Sequence, residues 1–268
     1  MDAMEEQKQT ASPIAEGSTG FEAHFIDVGQ ADCTLIICDG QTLLIDGGNV
    51  EDSSLIVSYI SSLGIEHLDY VVCTHGHEDH VGGLLGPLNA FTVSHVLCSV
   101  DNYDSKAFED FKRYTNKQGL EIEIPEVGDT FNIGSAVVRV LGPQQEYSDT
   151  NNMSVAMRIT YGETAFLFTG DAEAMAEEDI VESGAVLSST LLQVGHHGSE
   201  TSTSYQFLRE VMPEYAVISV GEDNSYGHPH DVILSRLEDA GCEIYRTDEQ
   251  GHIIAQSDGK TITIYTEK

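Results

Sequence analysis

The sequence predicts one α+β domain over residues 21–268. Three observations carry this. Short apolar, β-branched runs such as Tyr70–Cys73 alternate with segments of helical period such as Lys106–Lys117. Apolar residues make up 40% of a 268-residue chain, enough to bury a sizeable core. Several apolar runs stop abruptly at clusters of ionisable side chains, a pattern that points to a site built from strand ends.

In order, Phe21–Val28, Thr34–Cys38 and Gln41–Ile45 read as strands, and Asp39-Gly40 between the last two is a tight hairpin signal. Asp27 and Asp32 flank Gly29-Gln30, and Asp46-Gly47-Gly48 ends the third strand. Ser53–Leu63 has helical spacing and stops before Gly64. Strands are expected at Leu68–Cys73 and Val93–Val100, with a short helix over Val81–Leu88 between them. Lys106–Lys117 is a helix with Phe108, Phe111 and Tyr114 along one face, a stripe that belongs to a core. Its cationic residues, Lys106, Lys112, Arg113 and Lys117, read as a solvated face.

Four strands follow, Thr130–Ile133, Ala136–Leu141, Ser154–Tyr161 and Thr164–Thr169, with a hairpin break at Tyr161-Gly162-Glu163. Helices at Ala172–Val181, Tyr205–Val211 and Asp231–Ala240 then alternate with strands at Leu191–Val194 and Tyr215–Val220. Glu243–Arg246, Ile253–Gln256 and Thr261–Thr266 complete the strands.

The chemistry concentrates at Leu68–Gly83, LDYVVCTHGHEDHVGG. A buried strand gives way at Thr74 to His75, His77, Glu78, Asp79 and His80, and Gly82-Gly83 would let the backbone turn tightly. Neutral imidazole and carboxylate are the usual ligands of zinc and similar ions. His75 and His77 point the same way on extended chain, while Asp79 and His80 sit in a turn that can serve a second ion. Glu78 reads as a solvated charge.

Three more strand ends repeat the pattern. Asp171 follows Phe166–Thr169, either bridging two cations or capping the next helix. His196 and His197 follow Leu191–Val194, and the polar run Ser199–Ser204 leads to a helix N-cap. Asn224, Tyr226, His228 and His230 follow Tyr215–Val220; His228 either contacts substrate and transfers a proton or sits as a capping or surface histidine. Seven of the eleven histidines lie in three of these clusters, so one shared site is the economical reading.

THGHEDH resembles the His-x-His-x-Asp-His signature of the metallo-β-lactamase-fold hydrolases. FIDVGQADC (25–33), LLIDGG (43–48), NNMSVAM (151–157), LFTGDAE (167–173), VGHHGSETSTS (194–204) and SVGEDNSYGHPH (219–230) are similar, in the same order, to the hydrolase domain of ComEC-type DNA-uptake proteins. Soluble relatives of that domain, phosphorylcholine esterases among them, share the likeness. The resemblance covers about residues 21–268 and implies a four-layer αββα sandwich with the site at one edge between two sheets. It implies that His197, rather than His196, completes the second metal site and that Asp46 supports the centre; turn chemistry alone makes Asp46 an acceptor of backbone amides. Where many members of the fold place a further histidine ligand, this chain has Asn151-Asn152, and Asn152 is expected near the site.

The expected activity is a binuclear hydrolase. His75 and His77 hold one divalent ion, Asp79, His80 and His197 the other, and Asp171 bridges, with Zn²⁺ or Mn²⁺ as the ion. Asp79 and Asp171 are thus catalytic carboxylates, and His196 or His228 protonates the leaving group. Asn152, Ser199, Tyr226 and His228 are the candidate substrate contacts. A phosphodiester, cleaved by a nuclease or a small-molecule phosphodiesterase, is the first substrate reading; a lactone, thioester or β-lactam is the alternative on the same ligands. A module merely stapled by its metal is the non-enzymatic alternative.

Charge narrows the partners. Twelve Lys and Arg against 45 Asp and Glu give −33, which opposes binding to long nucleic acid and anionic membranes and favours a small substrate. No apolar run reaches the length of a membrane span. The five cysteines form no CxxC pair and read as buried free thiols. Residues 1–20 are polar and small, a disordered leader. As the tether left by a cleaved signal peptide this leader implies an extracytoplasmic or secreted protein, and as a natural start a cytoplasmic one.

Overall fold

The computed structural model describes residues 20–268, so the leader expected over 1–20 lies, apart from Gly20, outside the described residues. The first half runs β1 (Phe21–Phe25), β2 (Thr34–Cys38), β3 (Gln41–Ile45), α1 (Ser53–Ser62), β4 (His67–Cys73), α2 (Glu78–Val81), α3 (Leu85–Ala90), β5 (Thr92–Cys98), α4 (Lys106–Lys117) and β6 (Ile122–Glu123). The second half runs β7 (Thr130–Ile133), β8 (Ala136–Val140), β9 (Met157–Tyr161), β10 (Thr164–Phe168), α5 (Ala174–Glu182), β11 (Leu191–Gln193), α6 (Tyr205–Val211), β12 (Tyr215–Ile218), α7 (Asp231–Asp239) and β13 (Glu243–Arg246). A short α8 (Thr247–Gln250) then leads to β14 (Ile253–Ser257) and β15 (Ile262–Thr266).

Two sheets result. One has eight strands in the order β15-β14-β1-β2-β3-β4-β5-β6, the other seven in the order β13-β12-β11-β10-β9-β8-β7. Three apolar clusters show how they stack. Phe21, Phe25, Ile36 and Val72 of the first sheet meet Val138, Ile159, Phe166 and Phe168 of the second. Leu35, Leu44, Val71 and Cys73 face the other way, onto Ile56 and Ile60 of α1 and Phe108 and Phe111 of α4. Leu167, Leu192 and Ala216 likewise face Ile180, Phe207 and Leu237 of α5, α6 and α7. The layers are therefore αββα. Both faces of the central strands are buried, which is why they read as unbroken apolar runs.

Local chemistry explains the details. Asp39 and Gly40 both have positive φ (51° and 82°), and Cys38 pairs with Gln41, a two-residue hairpin of the twist-compatible kind. Ser105 caps α4 through Phe108 N, and Lys106 and Arg113 pair with Asp110, so the basic stretch is a solvated helix face. Cys33 and Cys38 enter different cores, and all five cysteines are free.

The expected helix over 81–88 is broken into α2, a 3₁₀ turn at Gly82–Leu84 and α3. The reason for Gly82-Gly83 also differs from expectation. Gly82 has an ordinary helical φ of −59°. What these positions require is contact distance: a Cβ on Gly82 would lie 2.6 Å from Val50 N, and one on Gly83 would collide with the Gly47 carbonyl. The Asp46-Gly47-Gly48 loop is thereby seated directly on the loop that carries His75–His80.

The functional geometry follows from strand direction. β3, β4 and β5 are parallel, as are β10, β11, β12 and β13. Their C-terminal ends deliver the loops carrying Asp46, His75–His80, Asp171, His196–His197 and His228 to one edge of the sandwich.

Candidate metal centre

Three buried histidines share one arrangement: Nδ1 is bonded outward and Nε2 faces a common centre. His80 Nδ1 lies 2.9 Å from Asp46 Oδ2. His197 Nδ1 donates to the Ser219 carbonyl at 3.0 Å. His75 Nδ1 lies 3.1 Å from Thr74 Oγ1 and 3.3 Å from Ser154 Oγ. Such partners fix the ring and its tautomer. Asp46 therefore does both things the sequence left open, since it also accepts from Thr74 N and Thr74 Oγ1, each at 2.7 Å.

The carboxylate of Asp171 sits between two groups of imidazoles. Oδ1 lies 3.3 Å from His80 Nε2 and 3.8 Å from His197 Nε2. Oδ2 lies 3.5 Å from His196 Nε2 and 3.9 Å from His75 Nε2. His75 Nε2 in turn lies 3.0 Å from His77 Nδ1. Asp79 Oδ2 approaches His197 Nε2 at 3.4 Å and His80 Nε2 at 4.0 Å. Asp171 does not cap α5. That role falls to Asn152, whose Oδ1 accepts from Glu173 N at 3.1 Å and Ala176 N at 3.3 Å.

Three of the inward atoms, His80 Nε2, His197 Nε2 and Asp171 Oδ1, are buried without a hydrogen-bond partner, as is Asp32 Oδ2. Buried polar atoms are ordinarily satisfied. Candidate ligand atoms of Asp32, His80, Asp171 and His197 all lie within 4.8 Å of one another, so the donor set and its unpaired lone pairs fit a divalent cation.

The electrostatics agree. Burial alone would depress His80, but the carboxylates of Asp171, Asp46 and Asp79 outweigh it and hold its pKa well above the usual value. His197 is pushed up to about 9, against burial, by Asp171 and Asp32. Asp171 and Asp79 are held low by the same imidazoles in spite of burial. His75 is depressed well below the usual value by burial and by His80. A field that holds protons on buried imidazoles is one that draws a cation in their place.

His196 and His197 lie in left-handed backbone, at φ 52° and 54°, between Gly195 and Gly198. Such residues cost about 1–3 kcal/mol each and recur at functional sites. A cleft of about 360 Å³ opens over the centre. Asp79, Asp171 and His197 line it, together with Gln30, His77, Glu78, Asn151, His196, Tyr226 and His228. Gln30 Oε1 accepts from Gly221 N, which turns its amide toward His228 Nδ1 at 3.4 Å. Burial and the imidazoles of His197, His196 and His230 lower His228 to about 4, so it is neutral at physiological pH.

A profile of the metallo-beta-lactamase superfamily matches residues 26–222. The chain belongs to this superfamily. Its likeness extends to ComE operon protein 3 of Bacillus subtilis (28% identical over 251 residues, 87% of this chain and 32% of that protein). It is also similar to competence protein ComA of Neisseria gonorrhoeae (31%, 84% of this chain and 30% of that protein) and recombination protein 2 of Haemophilus influenzae (31%, 92% and 29%). The chain spans about a third of the length of these relatives. Among solved structures, the superfamily fold protein YhfI from Bacillus subtilis superposes with a TM-score of 0.60 at 15% identity, covering 88% of this chain and all of that one.

Two expected substrate contacts are displaced. Asn152 is buried and turned into the cap of α5, and its neighbour Asn151 lines the cleft instead, with an unpartnered Oδ1. Ser199 is also buried; its hydroxyl bonds Thr201 Oγ1 at 3.0 Å and it does not line the cleft. Sequence reasoning gave Asp32 no role. Its Oδ1 accepts from Gln193 Nε2 at 2.8 Å, and its Oδ2 is among the unpartnered atoms. The signal available was its place in the motif FIDVGQADC. Among the described residues, no helix is long and apolar enough to cross a membrane.

Proposed function

We propose that this chain is a binuclear metal-dependent hydrolase acting on a phosphodiester, and on a small or terminal one rather than along a long nucleic acid. The two-sided placement of Asp171 carries the reading: each oxygen faces a different imidazole group, as a bridging carboxylate requires. His75 and His77 would hold one ion, and Asp79, His80 and His197 the other, with Asp32 as a further oxygen donor to the second. Bound divalent ions would supply an acidified water and polarise the scissile oxygen.

The chain's own residues supply the rest. Asp46, Ser219 and Thr74 hold the imidazoles so that Nε2 points inward. Neutral His228, which takes the Gln30 amide on Nδ1, carries its proton on Nε2 and offers it as a hydrogen bond to a phosphoryl oxygen. His196 is the proton carrier for the leaving group. It reaches from Asp171 to the cleft and is steadied by Thr201 at 3.3 Å. Relatives named for competence and recombination favour a phosphodiester. The net charge of −33, with no Lys or Arg among the described residues lining the cleft, favours a small one.

The test is hydrolysis of bis-p-nitrophenyl phosphate by protein stripped of metal and reloaded separately with Zn²⁺ and Mn²⁺, with nitrocefin and a simple lactone in parallel. Metal-dependent cleavage of the diester, abolished together with metal binding in Asp171→Ala, is expected. Selective cleavage of nitrocefin or the lactone would replace the phosphodiester reading, and full turnover by Asp171→Ala would remove the bridging assignment.

A further inference from the structure

We infer that a groove beside the metal cleft is a subsite for a positively charged organic arm of the substrate, a proposal that rests on the phosphodiester reading above. The groove encloses about 850 Å³ and runs between the segments after β5, after β6 and before β9. It adjoins the metal cleft at two places. Gly76, on its wall, separates His75 from His77, and Thr150, also on its wall, precedes the cleft residue Asn151. Tyr103 forms the junction. Its ring packs against Gly76 so closely that a Cβ there would fall 2.5 Å from Tyr103 Cγ, and it meets His77 edge-on at 6.0 Å between centroids.

The lining specifies the occupant. Asp101, Glu126 and Glu146 contribute carboxylates, Tyr103 and Tyr147 aromatic surface, and among the described residues no Lys or Arg lines the groove. Lys112 is engaged with the Asp101 backbone carbonyl at 2.7 Å. Tyr147 is held by its hydroxyl, which donates to Asp179 at 2.7 Å. Ile124 and Val127 leave apolar surface exposed at the rim (54% and 44%). An ammonium group set among carboxylates and over tyrosine faces is attracted by both. A second phosphate or a carboxylate would meet three like charges with no counter-charge in the lining.

A separate observation points to an occupant. Ser99, 6% exposed, lines the groove, and its buried hydroxyl has no hydrogen-bond partner. A buried hydroxyl is ordinarily satisfied, and a polar atom on an incoming arm would satisfy this one. The scissile phosphate would then sit over the metal centre while the arm extends past Tyr103 into the groove.

Two measurements on the full chain loaded with metal test this. The first is binding of phenethylammonium and of 3-phenylpropionate, its anionic counterpart, by ligand-observed NMR. The expected result is at least fivefold tighter binding of the cation, with the difference falling below twofold in Glu126→Gln/Glu146→Gln and the cation bound more weakly in Ser99→Ala. The second compares kcat/KM for 4-nitrophenyl 2-aminoethyl phosphate and 4-nitrophenyl propyl phosphate, expected to favour the aminoethyl ester at least fivefold and to lose that preference in the double variant. Equal binding of the two ions, or a preference that survives the double substitution, overturns the subsite. Turnover of both esters at equal kcat/KM overturns it too and leaves the phosphodiester reading standing. Discriminating binding without turnover of either ester supports the cation site and refutes the phosphodiester reading.

Discussion

Asp46→Asn isolates how much of the metal centre depends on a residue that faces away from it. Asp46 accepts three hydrogen bonds, from Thr74 N and Thr74 Oγ1 at 2.7 Å and from His80 Nδ1 at 2.9 Å. Asparagine has one acceptor oxygen and one donor amide in nearly the same shape. If the oxygen keeps Thr74 N, the amide faces Thr74 Oγ1 and His80 Nδ1. His80 must then lose that bond or move its proton to Nε2, the atom that faces the centre. Removal of such a partner typically lowers metal affinity ten- to a hundredfold. Here both the tautomer and a buried negative charge change, so the upper end applies, about 2.7 kcal/mol. Competition for Zn²⁺ against a chromophoric chelator measures this, with Asp171→Asn as the reference for direct ligand loss. An Asp46→Asn protein that binds Zn²⁺ within threefold of the parent would refute the argument that the Asp46–His80 bond sets the ligand.

Three further outcomes are expected. In metal-free protein the raised pKa of His197 contributes stability that is complete below the unfolded value of about 6.5 and is lost as pH rises through about 9, roughly 3 kcal/mol in all; urea midpoints of the parent should fall across that window more steeply than those of His197→Gln. Zn²⁺ uptake at pH 7 should release protons from His80 and His197, seen as calorimetric heats that depend on the buffer's ionisation enthalpy, and buffer-independent heats would contradict the charged imidazoles. Gly83→Ala drives a Cβ into the Gly47 carbonyl and should cost about 3 kcal/mol or more, a Tm lower by about 6 °C or more, whereas an unchanged Tm would mean that the two loops are not in firm contact.

The architecture was legible wherever local chemistry decides it. Asp39-Gly40 names its hairpin, the Phe108/Phe111 stripe names α4, and the change from a buried strand to THGHEDH announces the centre. What was not legible depends on partners far along the chain. Asn151 and Asn152 are indistinguishable in sequence, and the choice is made by the start of α5, whose amides at Glu173 and Ala176 claim Asn152. Asp32 sits on a loop with no periodicity, and its bonding partner Gln193 is 161 residues away. Gly82 and Gly83 advertise a turn, yet their need for hydrogen in place of a side chain comes from the Asp46–Gly48 loop pressed against them. β6 and α8, two and four residues long, are too short for periodicity to register.

The pairing of β1 has a consequence for how the chain is made. β1 lies inside the eight-stranded sheet, flanked by β2 and by β14, with Phe21 opposite Ser257. Its neighbour β2 follows within a few residues, but β14 begins only at Ile253. At roughly 5–20 residues per second, a nascent chain waits on the order of ten seconds or more between producing β1 and producing the strand that closes its second edge. Throughout that interval a strand whose every residue is buried in the finished fold presents an unpaired backbone edge, the template on which chains aggregate. The same late strand that completes the sandwich thus makes its folding dependent on whatever shields β1 beside the ribosome.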